Sequence, residues 1–223
     1  MAASGISAPT RPRKERAGNA AKRRRQIIEA TIRSVVRNGL AGTTLATVSA
    51  EAGLSQGVAV FYFKNKQTLL GEVLRHQYEI YQEHWQRVCD AAAPDPLAQL
   101  IAMVRADFDP VICDADSLVV WHAFWGEANA RPHYAEISEK FDARRLAAMQ
   151  DICAALLAAS GRSTEEAAEL GIGIDALTDG LWLRIYLSTE AMDTAQALRI
   201  AAQFLSAVFP EHADNFAAGL CGG

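Results

Sequence analysis

The chain has 223 residues, half of them apolar, with 15 glycines, seven prolines, four cysteines and a net charge of −4. That length fits one large domain or two small ones. With no apolar run of 18 residues and no apolar stretch near the N-terminus, neither a membrane span nor a secretory leader is expected. The charge is divided unevenly. Residues 1–66 hold 12 Lys and Arg against three acids (Glu15, Glu29 and Glu51), a balance of +9, and the remainder holds 10 basic and 23 acidic residues, a balance of −13. A basic head on an acidic body points to a head that meets a polyanion; the alternative is a solvated basic tail with no partner. Cys89, Cys113, Cys153 and Cys221 are far apart and form no CxxC, which reads as reduced thiols in a cytoplasmic protein.

In chain order, residues 1–20 are small, proline-containing and basic, and are expected to form a disordered arm. Ile27, Ile28, Ile32, Val35 and Val36 then recur at helical spacing from about Ala21, with Gly39 as a stop. Thr43 or Thr44 suits the N-cap of a second, short helix whose apolar face is Leu45, Val48 and Ala52. Gly53 supplies the positive φ of a sharp turn, and Ser55 the N-cap of a third helix. Two short helices joined by a Gly-containing turn make a helix-turn-helix. Each is too short to persist alone, so they must support one another and the first helix. Ser55, Gln56 and Gly57 put free N–H groups and short side chains at the third helix's N-terminus, where bases and phosphates can approach. Gln56 is the candidate for a base-edge hydrogen bond to adenine, and Val58 and Ala59 for thymine-methyl contacts. Thr43, Thr44, Tyr62 and Lys66 are the remaining candidates at the DNA, mainly for phosphates. Arg11, Arg13, Lys14, Arg16 and Arg23 to Arg25 form an arm for the backbone or minor groove.

Beyond Lys66 the pattern stays helical, with segments expected at about 66–92, 96–108, 115–129, 133–159, 164–189 and 193–208 and no sheet. Ala167, Ala168, Gly171, Ile174, Leu177 and Leu181, followed by Ala197, Ile200, Ala201, Phe204 and Val208, form two small and apolar faces. Paired across a twofold axis, they would make a four-helix homodimer interface; the same faces could instead pack within one chain. His76, Glu79 and Glu83 share a helix face, a pattern more often solvated than metal-binding, so no metal or cofactor is expected. Asp142, Arg144 and Arg145 read as a charged turn making a surface or inter-helix salt bridge. No catalytic dyad, phosphate loop or GxSxG elbow is present.

Thr44, then Ala52, Gly53, Leu54 and Ser55, then Gly57, Tyr62, Phe63 and Lys66, together resemble the head motif of the TetR family of one-component regulators. The likeness covers about residues 22–70. Relatives commonly carry Tyr two residues before the position of Tyr62, where this chain has Val60, so a contact made there is expected to be missing. More narrowly, "LVVWHAFWGEANARPHY" (118–134) and "DALTDGLWLRIYLS" (175–188) resemble the BetI-like, choline-responsive betaine repressors, a branch that also lacks the common Tyr. The resemblance implies an all-α fold of TetR type: a basic arm (1–20), a three-helix helix-turn-helix DNA-binding head (21–66), a helical ligand-binding and dimerisation body (67–210) and a C-terminal tail (211–223). It implies a cytoplasmic, dimeric, ligand-responsive repressor on palindromic DNA, with choline or a related quaternary amine as inducer.

Trp121, Phe124 and Trp125 share one helix face, and Trp182 and Tyr186 another. Core packing is the ordinary role of such stripes. An aromatic box for a quaternary ammonium is the alternative favoured by the resemblance, each ring contributing about 0.5–2 kcal/mol. Asp109, Glu127 or Asp179 would balance the charge. A different aromatic or amphipathic inducer, or an all-α enzyme or carrier with an incidental basic head, are the competing functions.

Overall fold

A computed structural model describes residues 13–127, 132–188 and 192–222; the side chains of residues 13–17 lie outside the description, as does Arg11. The described residues form α-helices and short 3₁₀ turns and contain no strand. The helices are α1 (Arg13–Gly42), α2 (Leu45–Glu51), α3 (Gln56–Phe63), α4 (Lys66–Ala92), α5 (Pro96–Asp107), α6 (Ala115–Glu127), α7 (Pro132–Ala159), α8 (Ala167–Leu187), α9 (Thr194–Val208) and α10 (Ala213–Cys221). Two compact units divide inside α4, between Val73 and Leu74, seven residues beyond the boundary expected at Lys66.

In the first unit α1 starts at Arg13, so residues 13–20 are helical rather than disordered. Lys14, Glu15, Arg16, Ala17, Ala20 and Ala21 favour helix enough to carry Gly18 and Asn19. Gly39 breaks α1 at φ 66° and ψ 176°. Thr44 caps α2: its hydroxyl accepts the Thr47 amide, and the Thr47 hydroxyl accepts the Thr44 amide. The end of α2 is a Schellman turn. Gly53, at φ 64°, donates to Ala50 O, and Leu54 donates to Ser49 O at 2.9 Å. Arg33 and Arg37 both reach Glu51, and Gln26 donates to Ala52 O, which fastens α1 to the end of α2. Ile27, Val35, Val48, Ala59, Phe63 and Leu69 close the core of this unit.

In the second unit Asp95 caps α5 behind Pro96, Asp193 caps α9, and α7 ends in a second Schellman turn at Gly161. α7 packs on α8, α5 on α7, and α6 on α8. Gly171 lets α7 and α8 approach closely, since a Cβ there would stand 2.7 Å from Gln150 Cγ. Residues 213–221, within the segment read as a C-terminal tail, form α10. Phe216 and Leu220, one turn apart, bury against a unit built with α9 and α5. Most of the faces expected to pair between subunits are occupied within the chain. Ala167, Gly171, Ile174, Leu181, Ala197 and Ala201 are buried, while Ala168 and Phe204 stay exposed and Leu177, Ile200 and Val208 partly so. α8 instead leaves Ile172, Leu183 and Leu187 exposed on one face.

Candidate functional site

Two sites emerge, one in each unit. In the first, α3 turns Ala59 and Phe63 into the core and leaves Gln56, Gly57, Val60 and Phe61 exposed. Ser55 is the exposed N-cap residue and makes no side-chain capping bond, so its hydroxyl is available. Thr44 is exposed and Tyr62 half-buried. Lys66 Nζ donates to Ala41 O at 3.0 Å, which holds the ammonium beside the α1–α2 turn. Two sequence candidates are placed elsewhere. Thr43 is buried, donating to Gly39 O and meeting the Ser34 hydroxyl at 3.1 Å, so it secures the turn and cannot reach a phosphate. Ala59 is fully buried and has no methyl to offer a base, and Val58 is partly covered. Ala59 misses because a helix of eight residues must give one face to the core, and that face includes 59 and 63.

In the second unit a cavity of about 130 Å³ is lined by Tyr78 and Tyr81 of α4, Trp121 and Trp125 of α6, Asp142 and Arg145 of α7, and Asp175, Asp179 and Trp182 of α8. Trp121, Trp125 and Trp182 form a triangle, with centroid separations of 6.2, 6.1 and 6.2 Å. Tyr78 stands edge-on to Trp121 at 4.7 Å, and Tyr81 edge-on to Trp182 at 5.8 Å.

The polar side of the cavity is organised by Arg145, which is 4% exposed. It donates to Asp107 at 2.6 Å and to Asp175, and its Nε is buried with no hydrogen-bond partner among the described residues. Asp107 also accepts from the Tyr81 hydroxyl at 2.8 Å, and its backbone carbonyl accepts from Trp182 Nε1. These bonds fix two box rings by their polar ends. Burial pushes the Tyr81 hydroxyl well above its ordinary value, so it stays a donor.

Asp142 and Asp179 line the cavity without a cation within salt-bridge reach among the described residues. Both residues keep contact with solvent, yet the apolar surroundings push each carboxyl up to about 6. The Tyr78 hydroxyl donates to Asp142 at 3.3 Å. Four carboxylates therefore surround one guanidinium, and the cavity is built for positive charge.

Of the sequence candidates, Trp121, Trp125, Trp182 and Asp179 meet here. Phe124 does not: it is fully buried and packs edge-on against Tyr134. Tyr186 lies outside the box, stacked on His122 at 4.4 Å, and His122 meets Leu118 O through Nδ1. Asp109 caps the Val111 amide and faces His84 at 3.6 Å, and Glu127 ends α6 away from the lining. Arg145 belongs to the middle of α7 rather than to a charged turn. Its salt bridges to Asp107 and Asp175 are the inter-helix kind the sequence suggested, whereas Tyr78, Tyr81 and Asp175 are lining residues that sequence reasoning passes over. The i, i+3 tyrosine pair in a polar helix was the available signal. His76, Glu79 and Glu83 form no metal cluster among the described residues.

The family model described as "Bacterial regulatory proteins, tetR family" matches residues 27–73, and "BetI-type transcriptional repressor, C-terminal" matches residues 96–210, more than half of the chain. The chain belongs to the TetR family and has a BetI-type body. "HTH-type transcriptional regulator BetI" of Paraburkholderia xenovorans is 38% identical over 83% of this chain and 93% of its own length. The protein of that name from Burkholderia mallei is 37% identical over 82% and 91%. Among solved structures, a transcriptional regulator from Pseudomonas aeruginosa PAO1 superposes with a TM-score of 0.78 at 23% identity, covering 88% of this chain and 94% of its own. A regulator from Saccharomonospora viridis, in complex with choline, gives 0.72 at 19% identity over 83% and 96%. As a BetI-type TetR regulator, the chain is a ligand-responsive transcriptional repressor that binds DNA, and not an enzyme. None of its described helices is long and apolar enough to cross a membrane.

Proposed function

We propose that this TetR-family protein represses transcription in the cytoplasm as a homodimer on a palindromic operator, and that choline or a closely related quaternary ammonium entering the tryptophan triangle releases it. The carrying observation is the pairing of that triangle with two carboxylates, Asp142 and Asp179, that have no cation within salt-bridge reach among the described residues. A quaternary ammonium asks for no hydrogen-bond donors; it is held by ring faces and by charge. The buried Arg145 Nε is a donor for an oxygen carried on the same ligand, as a hydroxyl would be. The choline bound by the Saccharomonospora viridis neighbour supports this reading.

In the head, Thr44, Ser55, Gln56, Gly57, Tyr62 and Lys66 are the proposed DNA contacts. Two copies of α3 would enter successive major grooves about 34–36 Å apart. The exposed Ile172, Leu183 and Leu187 of α8, with Phe204 of α9, are the proposed dimer face. α4 carries Lys66 near one end and Tyr78 and Tyr81 further on, so a ligand that prefers one setting of this helix weakens DNA binding by linkage, typically about 1–3 kcal/mol.

The test is fluorescence anisotropy on labelled DNA from upstream of the protein's own gene, with choline titrated in. Release by choline is the expected result. Tight, salt-sensitive binding that choline leaves unchanged would keep the repressor and reject this inducer.

A further inference from the structure

Phe61 is 80% exposed, further out than any other large apolar residue of the described chain, and Val60 beside it is 42% exposed. Neither serves the core, which α3 reaches through Ala59 and Phe63. They continue the outward face begun by Gln56 and Gly57, one helical turn away. Phe61 stands edge-on to the neighbouring Tyr62 ring at 5.2 Å. The face lies in a strongly basic segment: Lys64 and Lys66 follow it, and residues 1–66 carry the +9 balance. An apolar pair exposed on a segment of net positive charge is matched by a polyanion that presents apolar groups at a fixed depth. In the DNA major groove those groups are the C5-methyls of thymine.

We propose that Val60 and Phe61 read thymine methyl groups in each operator half-site, and that this contact, beside the hydrogen bonds of Gln56, sets sequence preference. The inference rests on the first unit being the DNA-reading unit, and it concerns specificity rather than overall affinity. Phosphate contacts hold any duplex, whereas a methyl contact distinguishes thymine from every other base.

The full-length protein is first footprinted on the segment upstream of its own gene. Each thymine of the protected site is then replaced singly by deoxyuridine, which removes the methyl and nothing else. At fixed salt, one or two positions per half-site are expected to weaken binding about fourfold for each lost methyl contact. Phe61→Ala or Val60→Ala should weaken binding to the thymine duplex by a similar factor, become indifferent to uracil at those positions, and leave affinity for a scrambled duplex unchanged. Because both side chains are exposed, the variants should keep the parent's melting temperature and oligomeric state. The inference is overturned if uracil is neutral everywhere, if both variants keep the parent's uracil sensitivity, or if Phe61→Ala weakens scrambled DNA equally or alters oligomeric state. Absence of salt-sensitive binding to any duplex by the parent protein would remove the DNA-reading assignment itself, and this inference with it.

Discussion

Arg145 donates to Asp107 across 2.6 Å, with both side chains almost wholly removed from water. The pair lies behind the tryptophan triangle and, through the Tyr81 hydroxyl and Trp182 Nε1, holds two of its rings. Breaking one side of such a pair leaves a buried charge without its counter-ion, which costs about 3–5 kcal/mol. Arg145→Leu should lower stability by that amount in urea unfolding. Adding Asp107→Asn should recover part of the loss, because no stranded charge remains at that position. A loss below about 1 kcal/mol for Arg145→Leu would mean that water reaches the pair.

Trp125 and Phe124 are neighbours in sequence with opposite surroundings. Trp125 is half-buried and lines the cavity; Phe124 is sealed against Tyr134. Phe124→Ala is expected to cost about 3–5 kcal/mol of stability, the usual range for a buried aromatic. Trp125→Ala should abolish the choline response while DNA affinity and melting temperature stay close to the parent's. Joint collapse of folding, DNA binding and response in Trp125→Ala would place that ring in the core.

The contrast shows what one-dimensional reading reaches. The helix-turn-helix was legible because its signals are local: a capping threonine, a glycine at the positive-φ position and a small residue facing the core. Trp121, Trp125 and Trp182 were legible as chemistry, but spacing alone cannot tell which members of a stripe face a cavity, and so Phe124 and Tyr186 entered with them. Arg145 and Asp107, 38 positions apart, become partners only through the packing of α5 on α7. The small residues of α8 were legible as an interface, but not whose. Gly171 fits against Gln150 of the same chain, which leaves the large apolar residues around Ile172 and Leu187 outward.

Lys66 gives a prediction for the head. A repressor neutralising 6–10 phosphates loses about 10³–10⁵-fold in affinity between 50 and 200 mM salt. Lys66→Ala should weaken binding to operator and scrambled duplexes alike, and reduce the slope of log affinity against log salt by about one. Its other contact, to Ala41 O, is at the surface, so melting should change little. An unchanged salt slope would remove Lys66 from the phosphate contacts.

Leu187, 63% exposed, and Ile172, 52% exposed, lie on one face of α8. Exposed leucines and isoleucines in register on a helix are the usual material of a subunit interface. Leu187→Glu is expected to shift the protein from dimer to monomer in sedimentation velocity and to weaken operator binding at least tenfold, since one head reads only half of a palindrome. A Leu187→Glu protein that remains dimeric at the parent's dissociation constant would place the interface elsewhere.

Asp142 and Asp179 predict how the cavity responds to pH. Burial raises each folded-state carboxyl from the ordinary 3.8 to about 6. Between those values the folded protein holds more protons than the unfolded chain. Stability of the ligand-free protein should therefore rise as pH falls through 6 and level off below about 4. Ligand binding runs the other way. A quaternary ammonium favours the ionised carboxylates, so choline affinity should fall as pH drops from 7.5 to 5.5. Near pH 6 its binding should also expel protons, seen in calorimetry as a dependence of the apparent heat on the ionisation enthalpy of the buffer. Asp142→Asn and Asp179→Asn should each weaken choline and flatten the pH profile, and the double variant should abolish the proton release. Choline binding with no proton release at pH 6 would mean that these carboxyls do not face the cation, leaving Asp175, already held by Arg145, as the remaining carboxylate among the described lining residues.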